Sequence, residues 1–214
     1  AMNKILTQKI LKTAGLPVAD FCAVSKTLPS PGNMIREFFK GDAVVIKPAL
    51  EGSSIGIRIV QNDAQIEDAL VQAFTYGEDV IAERFVKGRE LTVGILGCQA
   101  LPIVEIRTSR GFFDFEAKYQ KGMTEYLVPA DLPAKTAGQI GSLALAAFQA
   151  VGCRDFARVD FLLAEDGNPV ILEINTIPGF TETSLLPMAA ACAGYDFSGL
   201  CVQLMRSALE RVQQ

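Results

Sequence analysis

The chain has 214 residues, 50% apolar and 21% charged, the composition of a folded globular protein with a substantial core and not of a disordered one. Twenty Lys and Arg against 24 Asp and Glu give a formal charge of -4, which argues against the broad positive field that attracts nucleic acid or an acidic membrane and leaves a small molecule as the expected partner. The absence of histidine removes Ser-His-Asp triads, Cys-His dyads and His-ligated zinc, so any reaction must run on carboxylates, lysines, arginines, backbone and metal.

No apolar run approaches the length that crosses a bilayer, and the N-terminus interleaves Lys and Gln where a signal peptide would be continuously apolar. The expected location is the cytoplasm. Five cysteines, at positions 22, 98, 153, 192 and 201, have no CxxC spacing and an odd count, so they are expected to be reduced and buried.

In chain order, Ile5, Leu6, Ile10 and Leu11 recur at helical spacing after Asn3, and Gly15 and Pro17 supply the stop. The segment VADFCAV reads as a strand, GNMIREFFKG as a short helix, and AVVIKP as a buried strand ending at Lys47 and Pro48. A glycine-serine loop follows. IRIV resumes a strand, DAQIEDALVQAFTYG is a helix capped by Asn62 or Asp63, and EDVIAERFV is a further strand. From Gly88 the pattern turns to consecutive strands, RELTVGILG and ALPIVEIRT, which places a boundary near residue 88. FFDFEAKYQKGMTEYLVP lacks periodicity and reads as an ordered functional loop. LPAKTAGQIGSLALAAFQAVG is a long helix, DFARVDFLLAED and NPVILEINT are strands, and two helices close the chain. Strands and helices mix without strict βαβ alternation, which favours an α+β fold with antiparallel sheets.

Between the last two strands, Asp166-Gly167 is a strong hairpin signal for a type I′ turn. If Glu165 faces Asn168, counting back sets Asp160 opposite Glu173 and Arg158 opposite Asn175, all on one face. Opposed like charges repel, so something positive must stand between Asp160 and Glu173. A bound cation would supply it: two carboxylates and an amide oxygen suit Mg²⁺, which also takes phosphate oxygens. The alternative is a solvated polar face with Arg158 as counterion.

Two other segments bear on that choice. In IKPALEGSSIGI, Lys47 precedes Gly52, Ser53, Ser54 and Gly56, and glycines that admit close backbone approach, hydroxyl donors and an ammonium together suit a triphosphate cover. A turn-rich hairpin loop has the same composition, and neither GxxxxGK[ST] nor GxGxxG is present. ERFVKGRE carries Glu83 and Glu90 at positions suited to a base and a ribose, although charges beside a turn commonly serve solubility. FDFEAKY places Lys118 and Tyr119 where a cation and a phenol could meet a carboxylate or phosphate.

Taken in order, KPALEGSSIG, ERFVKGRE, FEAKY, RVDFLL and LEINTIPGFTETSLLP resemble the ATP-grasp ligases, and within them the D-alanine:D-alanine ligases, over nearly the whole chain. The resemblance implies an ATP-grasp fold: two α+β subdomains, at 1–88 and 89–214, with mainly antiparallel sheets enclosing a nucleotide. It implies Lys4, Lys47 and Lys118 on the phosphates of ATP, Ser53 and Ser54 in the covering loop, Glu83, Phe85 and Val86 at the adenine hinge, and Glu90 on the ribose. Asp160, Glu173 and Asn175 would hold two Mg²⁺ ions, with Mn²⁺ as a substitute. Arg158 and the Gly179 N-H would stabilise an oxyanion, Ser184 with Lys118 would receive the second substrate's carboxylate, and Tyr119 would favour D-alanine over D-lactate as acceptor. The reaction implied is ATP-driven joining of two D-alanines for cell-wall precursor synthesis. These ligases carry an N-terminal domain ahead of the segment AMNKILTQK, and this sequence does not contain it. A non-catalytic ATP- and Mg²⁺-binding module therefore stands beside ligation, as does a relative using another acceptor, since Tyr119 is a single-residue guide to acceptor choice. Oligomeric state stays open.

Overall fold

The computed structural model describes residues 1–108 and 124–212. Helix α1 (Lys4–Thr13) is capped by Asn3, whose side chain accepts the Leu6 N-H at 3.0 Å. Strand β1 (Phe21–Ser25), helix α2 (Pro31–Phe39), β2 (Val44–Pro48), β3 (Arg58–Val60), helix α3 (Ile66–Ala73) and β4 (Asp79–Arg84) follow. Their strands form an antiparallel sheet in the order β1-β4-β2-β3. Val24, Ile46, Val80 and Ala82 pack on Ile35 and Phe39 of α2 and on Ile66 and Leu70 of α3.

The second half contains β5 (Gly88–Leu96), β6 (Gln99–Ala100), β7 (Val104–Thr108), β8 (Thr124–Leu127), helix α4 (Ala134–Ala150), β9 (Phe156–Ala164), β10 (Pro169–Asn175), α5 (Leu185–Cys192) and α6 (Phe197–Val212). Its antiparallel sheet runs β10-β9-β5-β7-β8, with β6 pairing β5. One face buries Leu91, Val93, Ile95, Val159 and Phe161 against Ile140, Ala144 and Phe148 of α4. Part of the other face packs Val104 and Ile106 with Leu186 and Ala190 of α5 and Leu200 of α6. Antiparallel strands with helices on their faces are the α+β arrangement that the missing βαβ alternation implies.

Helix α1 joins the halves. Its Leu11 lies in the core of the larger sheet, while its first backbone N-H, on Lys4, donates to Ala49 O beside the smaller one at 2.9 Å.

Several local expectations are revised. The stretch read as loop ends in strand β8, paired with β7 from Glu105↔Leu127 to Thr108↔Thr124; its polar side chains hide the period on an outer strand. Helix α3 opens with a 3₁₀ turn at Asp63–Gln65, and its end is closed by Gln65, whose side chain accepts the Gln61 N-H at 2.9 Å, with no side-chain cap from Asn62. All five cysteines are free, but none is fully buried, and Cys98, in the β5–β6 turn, and Cys192, at the end of α5, are exposed.

The β9–β10 hairpin differs at its tip. Gly167 has φ +83° and its N-H donates to Ala164 O, while the Ala164 N-H donates to Asn168 O. Asp166 is not left-handed, which excludes type I′; its carboxylate accepts the Asn168 N-H at 3.0 Å. The loop thus spans three residues, 165–167, and Ala164, not Glu165, faces Asn168. A bulge between Ile171 and Glu173 then restores the expected pairs Asp160↔Glu173 and Arg158↔Asn175.

Candidate functional site

Alternation along β9 and its two neighbours sets the floor of the site. Thr92 stands opposite Asp160 on one side and Glu173 on the other, with Arg158 and Asn175 one pleat along and Glu90 opposite Leu162. These side chains share the face turned from the α4 core. Above part of that face opens a cleft of about 460 Å³ between the two sheets.

The cleft is lined by Lys4, Lys47, Ser53, Ser54, Glu83, Phe85, Val86, Glu90, Arg158, Asp160 and Glu173, all singled out from the sequence, together with Leu172 and Arg107. Asn175 is not among its lining residues but touches the acids: its Nδ2 donates to Asp160 Oδ2 at 2.8 Å and to Glu173 Oε1 at 3.5 Å. Gly179 and Ser184 lie together further on, where a Cβ at Gly179 would sit 3.1 Å from Ser184 Oγ. Ser184 Oγ accepts the Thr181 N-H at 3.0 Å and precedes α5. Lys118 and Tyr119 fall outside the described residues.

Asp160 is tightly held on the floor. Arg158 grips Asp160 with two donors, Nε to Oδ1 at 2.9 Å and Nη2 to Oδ2 at 3.0 Å, and Thr92 Oγ1 donates to Oδ1 at 2.6 Å. Burial is the largest influence on Arg158 and opposes its charge, yet Asp160 and then Glu173 outweigh it and raise its pKa above the ordinary value. Arg158 is thus the counterion of Asp160, but on a buried face and not the solvated one of the alternative reading.

The same residues suit a hard divalent cation. Two carboxylates on adjacent strands are a typical Mg²⁺ complement, the remaining positions going to water and phosphate. Rotating the Asn175 amide exchanges its donor for an acceptor at the same place. Admitting a cation at Asp160 requires one of that carboxylate's present donors to turn aside.

On the opposite wall, Lys47 Nζ pairs with Glu83 Oε2, and Lys4 Nζ donates to Glu51 O. Burial lowers the Lys4 pKa, Lys47 adding to the fall while Glu173 and Glu83 pull upward, so Lys4 senses both walls. Ser53 and Ser54 adopt left-handed φ of 51° and 62°. Gly56, at φ +70°, lies so close to Pro48 and Tyr76 that a Cβ would approach their atoms to 2.7 and 2.8 Å. The Phe85 N-H is committed to Ala43 O at 2.9 Å.

The family model described as D-ala D-ala ligase C-terminus matches residues 10–206. The chain belongs to this family. A D-alanine–D-alanine ligase family relative from Alcanivorax borkumensis is 42% identical over 210 residues, covering 98% of this chain and 66% of its own length. The crystal structure of D-alanine–D-alanine ligase from Bacillus anthracis is 33% identical with a TM-score of 0.86, covering 98% of this chain and 67% of that one. The same protein complexed with ATP gives 30% identity and a TM-score of 0.84, over 98% of this chain and 66% of that one. The chain thus spans about two thirds of the length of these relatives, and its α+β architecture is the ATP-grasp fold of the D-alanine–D-alanine ligases.

Three features of this candidate site were not legible in the sequence. Thr92 is a β-branched strand residue like many others until its register opposite Asp160 is known. The bulge at Leu172 has no marker in an apolar run. Glu105 sits in the apolar segment PIVEI, yet it is 3% exposed and held by Arg89 at 2.9 and 2.7 Å and by Arg107 at 3.1 Å; an isolated charge in an apolar strand was the available signal.

Proposed function

We propose that the chain carries the ATP- and Mg²⁺-dependent chemistry of D-alanine:D-alanine ligation, acting in the cytoplasm on cell-wall precursors. The observation that carries the proposal is the opposition of Asp160 and Glu173 on the floor of a cleft whose other wall presents Lys4 and Lys47. The relatives' names and the ATP complex of one of them support the same reading.

In this reading Lys4 and Lys47 offset the triphosphate charge, with Lys118 joining them, and Ser53 and Ser54 cover it. The wall from Glu83 to Val86 receives the base and Glu90 the ribose. Asp160, Glu173 and Asn175 would hold Mg²⁺, which supplies charge neutralisation on the phosphate oxygens. A carboxylate oxygen of the first D-alanine attacks the γ-phosphorus; the bond to the bridging oxygen breaks and ADP leaves. The amine of the second D-alanine then attacks the acyl carbon. Phosphate departs with the electron pair of the C–O bond, and the amine gives up a proton. Arg158 and the Gly179 N-H stabilise the oxyanion between these events. Ser184 and Lys118 receive the second carboxylate, and Tyr119 bears on its identity. The division of the chain at residue 88 belongs to the same proposal and is supported by the separate sheets on either side of it.

The test is a calorimetric titration with ATP, with and without Mg²⁺, followed by assays for phosphate and dipeptide. Mg²⁺-dependent ATP binding with D-alanyl-D-alanine formation is expected. Binding without dipeptide would support the non-catalytic module, dipeptide analogues from D-lactate or D-serine would support another acceptor, and no nucleotide binding would overturn the proposal.

A further inference from the structure

Helix α1 presents Lys4, Gln8 and Leu11 along one stripe at i, i+4 and i+7. Gln8 is 3% exposed, and its Nε2 donates to Glu83 Oε1 at 3.3 Å and to Leu172 O at 2.8 Å. Glu83 belongs to the smaller sheet and holds Lys47 with its other oxygen. Leu172 is the extra residue of the β10 bulge and immediately precedes Glu173. A bulged residue loses its ladder partner, and Gln8 takes up the carbonyl. Contacts therefore run without a break from Lys47 through Glu83 and Gln8 to the peptide that carries Glu173.

The amide's other end is informative. Gln8 Oε1 is, among the described residues, the buried side-chain polar atom without a hydrogen-bond partner. An unpaired buried acceptor costs stability, and the two bonds donated by Nε2 offset that cost here. Both neighbours of Gln8 are acceptors, so the position demands a donor and tolerates the acceptor that accompanies it.

We infer that Gln8 is a positioning residue that fixes Glu173 relative to the Lys47–Glu83 pair, and so couples Mg²⁺ to nucleotide; the inference rests on the ligase reading above. Gln8 is not among the residues that line the cleft. It acts through the backbone, holding the carbonyl of the residue before Glu173, one link further out than the groups that bond a ligating side chain, whose loss typically costs on the order of tenfold or more in metal affinity.

The experiment measures ATP affinity by calorimetry across a Mg²⁺ series, with thermal unfolding in parallel, for the intact chain and two variants. Gln8→Met keeps length and removes both polar ends; Gln8→Lys keeps donors and has no acceptor to leave unpaired. Gln8→Met is expected to raise the Mg²⁺ concentration for half-maximal ATP affinity by about tenfold. Gln8→Lys is expected to stay within about threefold of the unsubstituted chain, which also guards against a Gln8→Met variant that fails to fold. A Gln8→Met protein that melts earlier but needs no more Mg²⁺ would reduce Gln8 to a structural tie and overturn the inference, as would a Gln8→Lys protein with a tenfold greater requirement. Absence of Mg²⁺-dependent ATP binding in the unsubstituted chain would instead sink the ligase reading, and this inference with it.

Discussion

Glu173 faces Asp160 across the β9–β10 ladder, and the guanidinium beside Asp160 belongs to Arg158, two residues along the same strand. Opposed carboxylates repel at this separation. The proposed metal chemistry and the folding energetics of the hairpin thus depend on the same three side chains.

Glu173→Ala removes one of the two opposed charges. Stability is expected to change by less than about 1 kcal/mol, because relief of repulsion offsets lost contacts, while the Mg²⁺-dependent part of ATP binding disappears. Calorimetry with and without Mg²⁺, beside a urea melt, checks both halves; undiminished Mg²⁺ dependence would remove Glu173 from the metal site.

Arg158→Ala does the reverse and leaves the acids without their counter-charge. Removing one member of a buried pair costs on the order of 3–5 kcal/mol, and Arg158 and Asp160 are 17% and 13% exposed at their side chains. Millimolar Mg²⁺ is expected to restore part of that loss in the variant and to do little for the unsubstituted protein. Urea melts at increasing Mg²⁺ would show it, and an equal response in both proteins would contradict it.

Gly56→Ala puts a Cβ onto a left-handed residue already pressed against Pro48 and Tyr76. The conformation alone costs about 1–2 kcal/mol, so the loop is expected to shift and ATP affinity to fall. Gly52→Ala is the matched control, since a Cβ there meets nothing within 4 Å. Equal ATP affinities for the two variants would show that this loop's shape does not matter to the nucleotide.

Glu105 predicts an acid dependence. Its hydrogen bond to Arg89, then that to Arg107, hold its carboxyl below the ordinary value of 4.5. A group with a depressed folded pKa contributes stability in full above its unfolded pKa and loses it as pH falls through the folded one. Midpoints should therefore drop below about pH 4.5, and Glu105→Gln should flatten that drop while lowering stability at pH 7 by about 1–2 kcal/mol. Thermal melts from pH 2.5 to 7 measure it; parallel curves for the two proteins would refute the assignment.

The floor of the site was legible because a two-residue alternation and a nearby turn fix which strand residues oppose each other. The route to it was not. Asp166 caps Asn168 and keeps its own φ negative, making a three-residue loop that displaces the register by one, and the bulge at Leu172 displaces it back. Both depend on tertiary context: Gln8 from α1 and Pro17, whose carbonyl accepts the Ile171 N-H at 2.8 Å, hold the bulged edge. Likewise nothing local announces that Lys47 pairs with Glu83, 36 residues away.

Asp160 sits on β9, which is flanked on both sides by hydrogen-bonded neighbours, whereas Ser53 and Ser54 sit on a loop that leads from β2 to the edge strand β3. Amide exchange should therefore divide the molecule: protons along β9 will survive long incubation in deuterium, and those from 50 to 57 will be replaced early. A nucleotide arriving in the cleft would slow the early class and leave the late class untouched, because a stiff bed needs no further ordering to receive it.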